Sequence, residues 1–396
     1  MQKQRPPKQL KGKEMSPNSL PFAKEEYERR IRLVRDSMAL RGIDVLLVHT
    51  PENLNYISGY DTSGYFAYQC IALPAKGDLE ILTRRGEAFN AQKTQIAKRT
   101  VHFDTDDVVT KTIELVRRFP GSLRIGIEKN SWFLTAGVYE RLKHELGPAH
   151  LIDCSNLIDV IRLVKSDAEV ELIRKAAGIA TIAMAAGAKA LRVGVSESEI
   201  AADVSYAAIK AGSDYTGMPH LIKSGDRCPV GHAQWSRRVL ERGDVVFMEL
   251  SGCVHRYSGV IMRTLQVGTE DKEVKRASEA VIASLNETIA AVRPGVTTGE
   301  LYAIAITPVV KAGFSPSARR MGYSLGVGYP PRWGEWHAMD FQPNGETVLK
   351  PGMAFHIIPA IALNPKATIG FSETVLVTEK GHEVLTNFPR EFKVIG

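Results

Sequence analysis

Ala190-Leu-Arg-Val-Gly194-Val195-Ser196-Glu-Ser-Glu199-Ile200 and Ala291-Val-Arg-Pro-Gly295-Val296-Thr297-Thr-Gly-Glu300-Leu301 are one pattern written twice, 101 residues apart. In each copy a helix stops at a Gly and a Ser/Thr-x-x-Glu box opens the next one. Hydroxyl and carboxylate there satisfy amides that a helix start leaves unpaired. Lys210-Ala-Gly212 returns as Lys311-Ala-Gly313 at the same offset. Arg242-Gly-Asp-Val-Val-Phe-Met-Glu249 returns as Pro351-Gly-Met-Ala-Phe-His-Ile-Ile358 at an offset of 109. Three blocks in the same order predict a helix–helix–strand half that occurs twice, with a small insertion in the second copy. Side chains from two such halves converge on a concave surface, the natural place for a site.

Upstream of the repeat, Ser166-Asp-Ala-Glu169 is another capping box. It opens a long helix at about 167–191 whose many Ala residues predict close packing. A boundary falls near 155–165. Before it, Phe22, Tyr27, Ile31, Leu33, Val34, Met38 and Leu40 predict an amphipathic helix closing at Gly42. Short apolar strands are predicted at 44–49, 69–74, 79–83, 125–127 and 151–153, with a helix around 133–146. Helices alternating with short strands read as an α/β domain.

The chain has 396 residues, 44% hydrophobic and 24% charged, with a net charge of +7. Lys3, Arg5, Lys8, Lys11 and Lys13 stand against the single acid Glu14, so more than half of the excess lies in residues 1–20. That segment reads as a disordered basic tail, and a nucleic-acid-binding body is not supported. Cys70, Cys154, Cys228 and Cys253 form no CxxC pair, which speaks against a zinc knuckle or disulfide framework and for a reduced cytoplasmic setting. No apolar run approaches membrane-spanning length. Gly322-x-x-x-Gly326-x-Gly328 lacks the Lys-Ser/Thr ending of a phosphate loop, and there is no Gly-x-Ser-x-Gly elbow.

Chemistry-bearing residues cluster in four segments of the duplicated part. Asp214-Tyr215 leads to Gly231-His232, where an imidazole in a polar loop either moves protons or is a surface residue. Glu249 interrupts an apolar strand; burying a carboxylate is costly unless it is paired, protonated or used. His255-Arg-Tyr257 precedes Arg263-Thr264, and Arg263 neutralises a buried carboxylate, binds a substrate carboxylate or does nothing chemical. A late group holds Tyr323, the run Tyr329-Pro-Pro-Arg332-Trp333-Gly-Glu335 and Ser372-Glu373, with Glu373 again inside a strand.

Together these segments resemble the creatinase/aminopeptidase pita-bread family over roughly residues 22–390. Arg162-Leu-Val-Lys165-Ser-Asp-Ala-Glu169, Gly243-Asp244, Arg263-Thr264, Pro351-Gly-Met353, Val377-Thr378 and Gly381 fall in the family's order. The resemblance implies an α/β N-terminal domain (21–160) plus an α+β pita-bread C-terminal domain with internal pseudo-two-fold duplication (161–396), and a homodimer. Metallopeptidase members hold two metal ions with two Asp, one His and two Glu. The matching positions here are Glu249, Val260, Tyr323, Ile358 and Ser372. Val and Ile have no donor atom, so no metal and no other cofactor is expected. Creatinase is a metal-free member of the same fold.

Among metal-free members the chain is most similar to ectoine hydrolases. The matching segments are Leu54-Asn-Tyr-Ile-Ser-Gly59-Tyr60-Asp61, Phe66-x-Tyr68-Gln69, Ser213-Asp214-Tyr215, Phe247-Met-Glu249-Leu-Ser-Gly252-Cys253, Arg256-Tyr257, Gly322-Tyr-Ser-Leu-Gly326, the Tyr329 to Glu335 run and Phe355-His356. Departures include Thr62-Ser63-Gly64-Tyr65, His255 and Ser258-Gly259. The resemblance implies a small-molecule substrate, a cyclic amidine, with neither nucleic acid nor membrane as partner. His232, Glu249, Glu373 and Tyr323 would be catalytic. Tyr60, Asp61, Phe66, Tyr68, Asp214, Tyr257, Arg263, Tyr329, Arg332, Trp333 and Glu335 would bind substrate, with the partner subunit's N-terminal domain helping to line the pocket. Three other readings stand beside this one: another metal-free C–N hydrolase acting on creatine-like guanidino compounds or a different cyclic amidine or amide, a catalytically silent binding or scaffold protein, and a metallopeptidase with relocated ligands.

Overall fold

A computed structural model describes residues 20–396 except Gln95, Ser122, Pro148, Ala149, Ala318, Asn364 and Lys366. The basic tail at 1–20 lies, but for Leu20, outside the described residues. The chain divides into two compact units after Ser155.

The first unit runs α1 (Lys24–Leu40), β1 (Val45–Val48), α2 (Pro51–Ser58), β2 (Cys70–Pro74), β3 (Glu80–Arg84), α3 (Ala88–Thr94), β4 (Lys98–His102), α4 (Val108–Val116), β5 (Ile125–Ile127), α5 (Ala136–Leu146) and β6 (Leu151–Asp153). Its strands form one mixed sheet in the order β4-β3-β2-β1-β5-β6, antiparallel across β1/β2 and β2/β3 and parallel elsewhere. On α1 the stripe Tyr27, Ile31, Val34, Met38 is buried at helical spacing, whereas Leu33 and Leu40 fall off it and are exposed.

The second unit begins with α6 (Leu157–Arg162), α7 (Asp167–Ala190) and α8 (Glu197–Lys210), then β7 (Leu221–Ser224), β8 (Val245–Val254) and β9 (Tyr257–Val267). It continues with α9 (Lys272–Ala291), α10 (Thr298–Lys311), β10 (Gly322–Ser324), β11 (Ala354–Ile357), β12 (Ala360–Leu363), β13 (Ala367–Gly370), β14 (Glu373–Val377), β15 (His382–Val384) and β16 (Val394–Ile395). Two four-stranded sheets result, β16-β9-β8-β7 and β10-β11-β14-β15, with β12 and β13 as a separate pair.

The duplication is physical. Capping boxes form at Ser196/Glu199 and at Thr297/Glu300. Gly194 and Gly295 both have φ 88°, a left-handed conformation that favours glycine. Gly194 N–H donates to the Leu240 carbonyl at 2.9 Å, and Gly295 N–H to that of Leu349 at 3.0 Å. In the first half Lys223 pairs with Phe247, and in the second Tyr323 pairs with His356. The offset is 100 between Lys223 and Tyr323 and 109 between Phe247 and His356, so the second copy carries nine more residues between these strands. That insertion falls in the connection holding Tyr329 to Glu335, and the connection holding His232 is its counterpart.

The Ala-rich α7 packs as its composition predicts. Gly252 and Gly259 face each other across β8 and β9. A side-chain carbon on either would collide with the α7 backbone at Ala176 or Ala177, so only glycine allows this approach.

Candidate functional site

Glu249 stands in the middle of β8, opposite Leu221 on β7 and Met262 on β9. Around it every neighbouring strand residue is fully buried, while its own side chain keeps 15% of its surface accessible. Burial pushes its carboxyl up from 4.5 to about 7, opposed by the nearby Lys223 ammonium. Lys223 lies one diagonal step away on β7, where the pleat puts it on the same face. Its Nζ donates to the Val230 carbonyl at 2.7 Å and sits 4.5 Å above the Phe247 ring. Burial lowers the ammonium's pKa, and Cys228 and Glu249 raise it in part.

The second half supplies the other wall. Tyr323 Oη accepts the Trp333 indole N–H at 2.8 Å and is 2.8 Å from His356 Nδ1. His356 Nε2 is 2.5 Å from Ser372 Oγ, and Nδ1 lies 3.9 Å from Glu249 Oε1. Burial drives the His356 imidazole down to about 3, so it is neutral. Burial also holds the Tyr323 phenol well above its ordinary value, and the Glu249 carboxylate adds to this. Val260, Tyr323, Leu325 and Trp333 form one apolar cluster with Leu221, and Ile358 packs against it. The structure thus brings together Glu249, Tyr323 and Trp333 of the sequence-predicted set, and adds Lys223, His356 and Ser372. Lys223 carried the signal that singled out Glu249, a charge inside an apolar strand.

Other expectations are corrected by the surroundings of the residues. Glu373 is not a second carboxylate of this site. Its Oε1 accepts from Arg263 at 2.6 Å and Arg390 at 2.9 Å, and its Oε2 from the Thr386 hydroxyl. Neighbouring residues in an extended chain point to opposite faces, so with Ser372 on His356, Glu373 turns away. Arg263, 1% exposed, is filled as well: its N–H groups reach Glu373 and the carbonyls of Met262, Ser372, Phe388 and Pro389. Glu335 accepts from Arg162 at 2.6 Å, Lys165 at 2.9 Å and Ser324 at 2.9 Å. Although burial pushes it up, Lys165 and Arg162 hold its carboxyl below the ordinary value. Tyr257 donates to Glu169 at 2.9 Å. These four are structural partners, not free binding groups.

Asp214 caps the β8–β9 turn by accepting the His255 N–H at 2.7 Å. Arg332 meets His337 at 3.1 Å, and Tyr329 is buried beneath the Arg256 guanidinium, 5.6 Å away. His232 is exposed at the crest of its loop, with φ 55°, an uncommon conformation for a residue with a side chain. Glu197 clasps the ends of that loop, accepting from Ser224 and Ser236, backbone and hydroxyl both, and from Arg227. In the first unit, the Tyr60 hydroxyl is spent on Thr83 at 3.1 Å, and the Tyr68 hydroxyl on Thr112 at 2.7 Å and His49 at 3.2 Å. The Asp61 carbonyl accepts from Asn90. Phe66 is 77% exposed.

The five positions at which the family resemblance implies metal ligands offer few donors for a metal. Glu249 supplies one carboxylate; Val260 and Ile358 supply nothing, and the Tyr323 and Ser372 hydroxyls are engaged with His356. Among the described residues, no group of three His, Cys, Asp or Glu is placed to hold a metal ion. Among them too, no helix is long and apolar enough to cross a membrane.

Comparison with known proteins places these observations. The chain is 29% identical to the ectoine hydrolase of Halomonas elongata over 95% of this chain and 99% of that protein. It is 27% identical to the Xaa-Pro dipeptidase of Pyrococcus horikoshii over 91% of this chain and 98% of that one. The crystal structure of the Pyrococcus horikoshii OT3 prolidase superposes with a TM-score of 0.79 at 25% identity, covering 92% and 99% of the two chains. Residues 30–164 match the Creatinase/Prolidase N-terminal domain. Residues 171–379, more than half of the chain, match metallopeptidase family M24, and to that family this chain belongs.

Proposed function

We propose that this hydrolase of the M24 family opens a C–N bond in a small cyclic amidine of the ectoine type, yielding an N-acetyl-diaminobutyrate, without a resident metal. One observation carries the reading: Glu249, a strand carboxylate whose pKa burial raises to about 7, stands opposite Leu221 of an apolar and aromatic cluster that includes Tyr323 and Trp333. A cationic amidinium entering there converts Glu249 to its charged form and pairs with it. A carboxyl group titrating near neutrality also suits proton transfer or nucleophilic attack at the amidine carbon. Tyr323 donates a hydrogen bond to the reacting group, and Trp333 holds the phenol in place. His232, presented on its clasped loop, moves the proton from water to the departing nitrogen. With Glu373 committed to Arg263 and Arg390, the work of two carboxylates falls to one. Phe66, exposed as Phe89, Phe103 and Trp132 also are, is the residue assigned to line the site of a second copy in a homodimer, whose existence light scattering of the purified protein tests.

The deciding experiment is a substrate panel of ectoine, hydroxyectoine, creatine and Xaa-Pro dipeptides, each with and without chelator, read by product mass. Ring opening of ectoine that survives the chelator is the expected result. Dipeptide cleavage abolished by chelator favours the peptidase reading, and turnover of nothing favours a binder. His232→Ala should retain less than about a tenth of kcat, because positioned acid–base groups are worth ~10²–10⁴-fold.

A further inference from the structure

The junction of Tyr323, His356 and Ser372 holds one more determinant. Trp333 can only donate, so its indole N–H, 2.8 Å away, takes one lone pair of the Tyr323 oxygen. His356 is neutral and therefore has a single N–H to share between Tyr323 on Nδ1 and Ser372 on Nε2. In one tautomer Nε2–H donates to Ser372, Nδ1 accepts from Tyr323, and the phenol's only hydrogen points away from any ligand. In the other, the Ser372 hydroxyl donates to Nε2 and Nδ1–H donates to the phenol oxygen. Tyr323 then accepts twice, and its own O–H is directed away from both partners. Glu249 Oε1, 3.9 Å from Nδ1, biases the choice: a carboxylate beside Nδ1 attracts an N–H there and repels a lone pair.

We propose that His356 is a positioning residue: fixed as the Nδ1–H tautomer by Ser372 and Glu249, it makes Tyr323 a hydrogen-bond donor to the ligand at Glu249. The inference rests on the reading of this site as catalytic, yet its first test needs no substrate. Nitrogen-15 NMR of the full-length, histidine-labelled protein reports directly which ring nitrogen carries the hydrogen, with the His356 signal assigned from its loss in His356→Gln. The wild type should be protonated at Nδ1, and Ser372→Ala and Glu249→Gln should each shift the population toward Nε2. A wild-type imidazole protonated at Nε2, unmoved by Ser372→Ala, overturns the proposal.

The second test uses whichever panel compound is turned over. Tyr323→Phe and His356→Phe should each lower kcat by ~10–100-fold, as loss of an oriented donor does, with KM moving less than threefold. The double variant should lose no more than Tyr323→Phe alone, because both delete the same hydrogen bond. Losses that multiply overturn the proposal. His356→Gln, whose amide can donate to Tyr323 and accept from Ser372, should recover most of the rate; a merely space-filling role predicts no such rescue. If no compound is turned over but Nδ1 is protonated, the functional proposal fails and the tautomer assignment stands.

Discussion

The two halves of the second unit share a scaffold and divide the chemistry. Where the first half has Lys223 beside Phe247 and Glu249, the second has Tyr323, His356 and Ile358 at the equivalent places. The first pair is held by a cation over a ring, the second by a hydrogen bond between two rings. The ionisable groups of the candidate site thus come from one half, and neutral donors and aromatic side chains from the other. The elements common to both, caps and left-handed glycines, are needed to start and stop helices, and any sequence adopting this half twice must repeat them. The residues of the candidate site carry no such local duty and are free to diverge. The lesson is that pseudo-symmetry here belongs to the backbone, whereas the site is asymmetric by composition.

The sharpest test of that division is Glu249→Gln. With no carboxylate at Ile358 to substitute, turnover of the panel substrate should fall by ~10²–10⁴-fold while the fold persists. Comparable activity in this variant would mean that the ionisable half does not carry the reaction.

Arg263→Met tests what joins the halves rather than what they do. Arg263 lies on β9 of the first half and Glu373 on β14 of the second, 2.6 Å apart and almost fully buried. Removing Arg263 leaves the buried Glu373 carboxylate to Arg390 and Thr386 alone and takes a donor from the carbonyls of Met262, Ser372, Phe388 and Pro389, so denaturant unfolding should show a loss of ~3–5 kcal/mol. The protein that remains folded should turn over substrate within about threefold of wild type, since the pair faces away from Glu249. A large loss of kcat without loss of stability would return Arg263 to the binding set.

These two variants mark where the sequence could be read and where it could not. The duplication, both capping boxes and the close approach of α7 follow from local signals, each confined to a few neighbouring residues. Glu249 and Glu373 gave one signal in common, an acid inside a strand, and Glu335 came with the aromatic Tyr329 to Glu335 run. What separates them is a partner 110 residues away for Glu373 and 173 for Glu335. Only the fold decides which cations reach which acid. Lys223 went unassigned, and His356 was met only in the Phe355-His356 match without a role, because their roles depend on register across strands, on Glu249 in one case and on Tyr323 in the other.

Glu249→Gln also makes a thermodynamic prediction. In the folded protein Glu249 holds its proton up to about pH 7, against 4.5 for an unperturbed carboxyl. The folded state therefore binds more protons than the unfolded chain between those values, and stability falls as pH rises through that window. The glutamine variant has no such proton to lose. It should match the wild type below pH 4.5 and exceed it above pH 7 by on the order of 1–3 kcal/mol. Parallel stability curves for the two proteins would show that Glu249 is not desolvated as the strand pattern implies.

Lys223→Met should produce the smallest effect and define the reach of the first half's cation. The ammonium opposes the burial that raises the Glu249 carboxyl, so removing it should move the Glu249 titration further upward, by less than about one unit. Carbon-13 NMR of the glutamate carboxyls reads this shift. Lys223→Arg, which keeps the charge, should leave the titration near its wild-type position. Loss of the 2.7 Å bond to the Val230 carbonyl is a second consequence of the methionine change, and it acts on the His232 loop rather than on the carboxyl. The two separate cleanly: a charge effect appears in the Glu249 titration and is absent in the arginine variant, whereas a loop effect appears as faster proteolysis near 230–232 and leaves the titration in place. A Glu249 titration that stays fixed or moves downward in Lys223→Met would sever the electrostatic link between the two residues. The first half would then contribute one isolated carboxylate instead of a coupled pair.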